Sequence, residues 1–166
     1  MGIDPGLANT GYGIISFSSN RFKCVRYGDI KTNTQMSHSE RLFHIYTKLM
    51  ELLSEYQILE AGIETLYFAK NVTSALAVSE ARGVAILAMH SSGIKDIGEY
   101  APNTIKKAVT GIAQANKVQV QEATKLLLGL DEKPQPNHAA DALAAAIAKV
   151  NIGNFQNQQF LGSSIH

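Results

Sequence analysis

The chain is 166 residues long and 45% apolar, and its 15 Lys and Arg against 14 Asp and Glu give a formal net charge of +1. That length suits one domain able to bury its own core and leaves no space for a second. Cys24 is the only cysteine, which excludes an intrachain disulfide and suits a reducing cytoplasm. The longest apolar runs, 83–89 and 142–148, fall well short of the ~18 residues of a membrane span, so no membrane attachment is expected, and no signal peptide is read.

In chain order, Met1 to Asp4 reads as a short strand that ends in the glycine-rich turn of GIDPGLANTGYG, 2–13. Thr10 to Ser18 is a second strand. After the Ser18-Ser19-Asn20 turn, Arg21 to Thr32, rich in Phe, Val, Tyr and Ile, is a third. Ser37-His38-Ser39-Glu40 has the capping-box spacing, and it precedes a helix with Leu42, Ile45, Leu49, Leu52, Leu53 and Tyr56 on one stripe. Ile58 to Thr65 is a fourth strand carrying Glu64 at its end. Asn71 to His90 is a long Ala-rich helix, apolar nearly all round over Val84 to Ala88, as expected of a helix covered on two sides. Ile94 to Tyr100 is a fifth strand. Pro102 to Val109 and Lys117 to Leu128 are helices, the second stopped by Gly129, and His138 to Val150 is the last. The order βββαβαβ followed by three helices predicts an α/β fold, with one mixed five-stranded sheet and helices on both faces. A single domain over 1–150 is expected, with a loose tail over the Asn-, Gln- and Ser-rich 151–166.

Three acids and one histidine fall where folding does not ask for them. Asp4 ends an apolar strand, where an Asx turn would also account for it. Glu64 ends another. His138 and Asp141 are three apart on the last helix and share a face. Alanines and a leucine flank Asp141, so it either caps its own helix or answers a cation. Alone, a histidine in the position of His138 is more often structural or exposed than a ligand. If strands one and four are neighbours, Asp4 and Glu64 point at one spot and the last helix can bring His138 and Asp141 over it. Such a cluster repels itself without cations. Its oxygens suit Mg²⁺ and the imidazole makes Mn²⁺ acceptable; two ions ~3.5–4 Å apart are the arrangement that drives in-line displacement at phosphate. Over 101–130 four lysines (Lys106, Lys107, Lys117, Lys125) stand against one acid, Glu122. That is a surface compatible with a polyanion or simply a solvated helical face.

Taken together, GIDPGLANTGYG (2–13), IETLYFAKNVTSAL (63–76) with ARGVA (81–85), EYAPNTIKKAVTGIAQANKVQV (99–120) and NHAADALAAAIA (137–148) resemble the RuvC-type Holliday junction resolvases of the ribonuclease H-like superfamily. The likeness runs from Gly2 to about Val150. It implies a homodimeric, metal-dependent endodeoxyribonuclease that resolves four-way DNA junctions by paired symmetric nicks in recombination and repair. Two Mg²⁺ per subunit would serve it, Mn²⁺ also supporting activity, and branch-migration motor proteins would be partners. Asp4, Glu64 and Asp141 match the family's catalytic carboxylates. His138 stands where many members have a fourth Asp and removes one negative charge there. Tyr67 matches an aromatic that stacks on a base, a role set against core packing. Lys106 and Lys117 match basic residues near the site, and Lys70, Arg82 and Lys107 are further backbone contacts. The helix over 71–90 is the implied dimer interface. Family members usually carry a few more apolar residues ahead of this motif, so a first strand with only Met1-Gly2-Ile3 before Asp4 is very short for a central one. The opening motif also fits actin-like phosphotransferases, but those need a second domain to close over nucleotide. A non-catalytic relative would lack the acids, and they are present.

Overall fold

The structure is a computed structural model that describes residues 1–65 and 72–162, with side chains placed for 1–65 and 73–154. Its elements are β1 (Gly2–Asp4), β2 (Asn9–Ser18), β3 (Arg21–Lys31), α1 (His38–Glu55), β4 (Glu60–Glu64), α2 (Val72–Ser91), β5 (Asp96–Tyr100), α3 (Pro102–Thr110), α4 (Lys117–Leu128) and α5 (Asn137–Gly162). The strands form one sheet in the order β3-β2-β1-β4-β5. β2 runs antiparallel to both β1 and β3, whereas β1, β4 and β5 are parallel. The shortest strand is therefore the central one. Ser19 and Asn20, both at positive φ, close the β2–β3 hairpin.

Side-chain alternation sorts the sheet into two faces. Ile3, Ile14, Ala61 and Ile63 pack with α1 and α2, where Ile45, Leu49, Leu52, Ala85 and Met89 are buried. The capping box of α1 is formed as the spacing predicts: Glu40 N donates to Ser37 Oγ and Ser37 N donates to Glu40 Oε2. On the other face α5 lies almost directly on backbone. A Cβ on Gly2 or Gly11 would overlap the α5 backbone at Ala142 or His138, and one on Gly62 would stand 2.6 Å from Ala145 O. The facing surface of the helix is mostly alanine, buried from Ala139 to Ala148. Two small surfaces allow an approach that larger side chains would forbid.

One expectation is corrected here. The helix does not end at Val150 but continues to Gly162. Polar composition suggested an end near Val150, yet no proline interrupts 151–162, glutamine is a good helix former, and Gly153 does not adopt a positive φ.

Candidate active site

Gly2-Ile3-Asp4 and Gly62-Ile63-Glu64 are the same three-residue pattern on neighbouring parallel strands, in register with Gly2 opposite Gly62 and Ile3 opposite Ile63. Period two sends both isoleucines toward α1 and α2, and both glycines and both acids toward α5. The acids thus end up side by side at the carboxyl end of the sheet, where open α/β sheets bind ligands. Beyond Glu64 the chain is held by Thr65 N donating to Tyr100 O at 2.8 Å.

The first two turns of α5 complete the cluster. His138 Nδ1 lies 2.6 Å from Asp4 Oδ2. With Asp4 ionised the imidazole nitrogen is the donor, which leaves Nε2 free for another partner. Asp141, one turn on, accepts from Lys117 Nζ at 2.9 Å. Lys117 is the first residue of α4, presented by a second capping box in which Asn116 and Gln119 exchange hydrogen bonds of 2.8 and 3.0 Å. Gln121 Nε2, buried, donates to Asn137 Oδ1 at 3.0 Å and so ties α4 to the start of α5. Neither the second box nor this tie was read from the sequence, although the Asn-x-x-Gln spacing at 116–119 could have disclosed the box.

Glu64, Lys106, Lys117 and Asp141, with Pro102, Ile105, Val120 and Ala144, line one cleft of about 230 Å³. A larger hollow of about 570 Å³ opens at the other end of β1, β4 and β5, lined by residues such as Phe17, Tyr56 and Glu60, and has no converging acids apart from the pair Glu60 and Asp96. Burial pushes the Glu64 carboxyl up to about 7, and the charges of Asp4 and Asp141 push the same way while Lys117 and Lys106 oppose them. Burial also raises Asp4, against the hydrogen bond and charge from His138. The acids therefore feel one another, as a shared site requires.

The expected convergence of four ligands takes a different form. Among the described residues no three His, Cys, Asp or Glu side chains are grouped to hold an ion. The acids are instead answered by donors of the chain itself, the His138 imidazole on Asp4 and the Lys117 ammonium on Asp141, which relieve the repulsion that burial magnifies. Of the basic residues singled out above, Lys106 and Lys117 reach the cleft. Lys107 points away and lines a separate hollow with Thr104, Gly111, Asn151 and Ile152. Arg82 is on the α1–α2 side of the sheet, ion-paired with Glu99 of β5, with its Nε buried and unpartnered. Tyr67 and Lys70 lie outside the described residues.

Residues 1–149 match the family described as "Crossover junction endodeoxyribonuclease RuvC". The chain belongs to the RuvC family. A RuvC of Treponema denticola is 66% identical over 93% of this chain and 86% of its own length. One from Alkaliphilus metalliredigens is 48% identical over 95% of each chain. The solved structure of T. thermophilus RuvC in complex with Holliday junction substrate superposes with a TM-score of 0.88 at 28% identity, covering 93% of this chain and 94% of that one. The family is one of metal-dependent nucleases, and the donor types suit a divalent cation by their chemistry, although they are not gathered around one point: three carboxylates, two of them destabilised by burial, and an imidazole that meets Asp4 through Nδ1 and keeps Nε2 for another partner. No described helix is long and apolar enough to cross a membrane.

Proposed function

We propose that this chain is a divalent-metal-dependent endonuclease that resolves four-way DNA junctions by paired nicks. The observation that carries the reading is the pair of in-register strand-end acids, Asp4 and Glu64, with His138 and Asp141 delivered beside them by α5 and two lysines on the rim. Asp4, Glu64, His138 and Asp141 would hold Mg²⁺, two ions per subunit, with Mn²⁺ accepted through the imidazole nitrogen. Bound there, the metal lowers the pKa of water and stabilises charge on the attacked phosphate and the leaving oxygen.

The chain's own groups do the rest. Asp4 stands between Glu64 and His138 and is the residue placed to serve both halves of the site. The Glu64 carboxylate holds one ion and orients the attacking water. Lys106 and Lys117 draw a phosphate into the cleft. Tyr67 stacks on a base near the junction centre, with Lys70 on the backbone. Binding by charge and shape makes the affinity fall with salt.

Two sites related by a two-fold axis give symmetric nicks. The dimer surface is α2, where Leu76 and Leu87 are 61% and 58% exposed, and Phe43 of α1 is 70% exposed. Branch-migration motor proteins are the partners that deliver the junction, in the cytoplasm. The test is a nicking assay on a mobile four-way junction in Mg²⁺ and in Mn²⁺, with linear duplex as control. Asp4→Asn should abolish nicking; wild-type rates in that variant would refute the mechanism.

A further inference from the structure

Behind Asp4, the turn over 5–8 is held by a hydrogen-bond chain that reaches into α1. Thr10 Oγ1, fully buried, donates to Gly6 O at 2.7 Å and closes the turn from within. Thr32, the residue after β3, grips the turn from outside: its Oγ1 donates to Leu7 O at 2.6 Å and its backbone N donates to Ala8 O at 3.0 Å. The same hydroxyl accepts from Arg41 Nε at 2.8 Å. A hydroxyl has one proton to give. With that proton on Leu7 O, the guanidinium on its lone pair is the contact that fixes its direction. Arg41 is itself set in place one turn into α1, its N donating to Ser37 O at 3.0 Å.

We propose that Thr32 and Arg41 are positioning residues of the nuclease site, acting on Asp4 through the Arg41–Thr32–Leu7 relay. The inference rests on the reading of Asp4 as a metal-holding carboxylate. β1 is only three residues long and Asp4 is its last. On the strand side Asp4 is fixed by its register with Gly11 and on the helix side by His138. On the remaining side the turn decides which way its backbone, and so its carboxylate, faces. That turn carries no regular secondary structure, so side-chain hydrogen bonds supply its stiffness. Displacements near 1 Å are enough to cost a reaction about 100-fold. The rival account is that Arg41 holds a DNA phosphate through its other nitrogens. Thr32 would then be dispensable.

The experiment compares Thr32→Val, which keeps the shape and removes the hydroxyl, with Thr32→Ser, Arg41→Met, the double variant Thr32→Val/Arg41→Met and Asp4→Asn. All are measured in the full chain, at a temperature where circular dichroism shows each folded. The readouts are single-turnover nicking, the Mg²⁺ concentration at half-maximal rate, and junction affinity without divalent metal as a function of salt. Thr32→Val and Arg41→Met should each slow nicking roughly 10–100-fold and raise the Mg²⁺ midpoint, as supporting contacts behind metal ligands do. Junction affinity and its salt dependence should stay put. The double variant should be no worse than the poorer single, and Thr32→Ser should restore most of the rate. A loss confined to folding would not move the Mg²⁺ midpoint. Additive effects, or an Arg41→Met that weakens junction binding and flattens the salt dependence while Thr32→Val nicks normally, would overturn the relay in favour of a phosphate contact. Wild-type nicking by Thr32→Val beside an inactive Asp4→Asn would overturn the relay and leave the site reading standing. An active Asp4→Asn would remove the ground of both.

Discussion

A methyl group on Gly62 should unseat α5. In Gly62→Ala the new Cβ would stand 2.6 Å from Ala145 O, 0.8 Å short of the 3.4 Å at which ordinary contact begins, with Lys149 Cβ at 3.0 Å and Ala145 C at 3.3 Å closing the sideways escape. Two of these three obstacles are backbone, so the helix has to lift by on the order of 1 Å in a close-packed interior. Overpacking of this kind costs about 1–3 kcal/mol, which at this chain length lowers Tm by about 2–4 °C per kcal/mol. The chemistry should suffer more. Glu64 is two residues along the same strand, and Asp141 is one turn ahead of Ala145, so the lift parts the two acids directly. A nicking loss of roughly 100-fold is expected. The assay pairs thermal unfolding without metal with single-turnover nicking of a four-way junction at saturating Mg²⁺. Gly153→Ala is the control on the same helix: its Cβ meets nothing within 4 Å, so it should gain roughly 0.5–1 kcal/mol and nick normally. If Gly62→Ala melts and nicks like the wild type, the reasoning that seats α5 on bare backbone is refuted.

The Glu64 carboxyl has a folded pKa raised from 4.5 to about 7, so the folded state holds that proton more tightly; its stabilisation is complete below 4.5 and is lost as pH rises through about 7. Without divalent metal, the Tm difference between wild type and Glu64→Gln should therefore move against the wild type across that window, and a difference independent of pH would contradict it. Lys149 Nζ bonds Asp96 at 2.7 Å and stands 3.5 Å from Glu60, but those acids are 67% and 38% exposed and stay hydrated without it. Lys149→Met should thus cost about 1 kcal/mol in chemical denaturation; a loss near the ~3–5 kcal/mol of a broken buried pair would show that the acids depend on it. Ser37→Ala removes the side-chain half of the α1 capping box and should cost about 1 kcal/mol in the same measurement; an unchanged midpoint would mean the cap contributes nothing.

Element order was legible because the chain writes it in local chemistry: alternation in β2 and β3, the Ser37–Glu40 box, the glycine after Leu128. Asp4 and Glu64 drew notice as acids at the ends of apolar strands, and the placing of those strands side by side followed the expectation. Their shared surroundings were visible too, since Gly-Ile-Asp and Gly-Ile-Glu are one pattern, but its meaning appears only when β1 and β4 pair in register. The partner of Arg82 was not legible, because Glu99 is 17 positions away in the sequence and meets it only across the fold. Lys106 and Lys107 are neighbours in sequence, yet helical geometry sends them to different sides of α3. The length of α5 was missed because polarity was read as looseness, whereas a helix that starts on a buried face can continue through Asn and Gln until something stops it.

Asp4 and His138 touch across a separation of 134 positions. The strand and the helix that carry them are thus far apart in the order of synthesis. Domains assemble as they emerge, N-terminal parts first, and contacts so distant in sequence form late. The sheet, α1 and α2 can all be in place while the glycine track is still bare. A half-made chain carries the Asp4 and Glu64 strand ends but no His138 or Asp141 to set beside them. On the proposed site, cutting power comes only when α5 drops onto its track, and a chain stopped before α5 should not nick DNA.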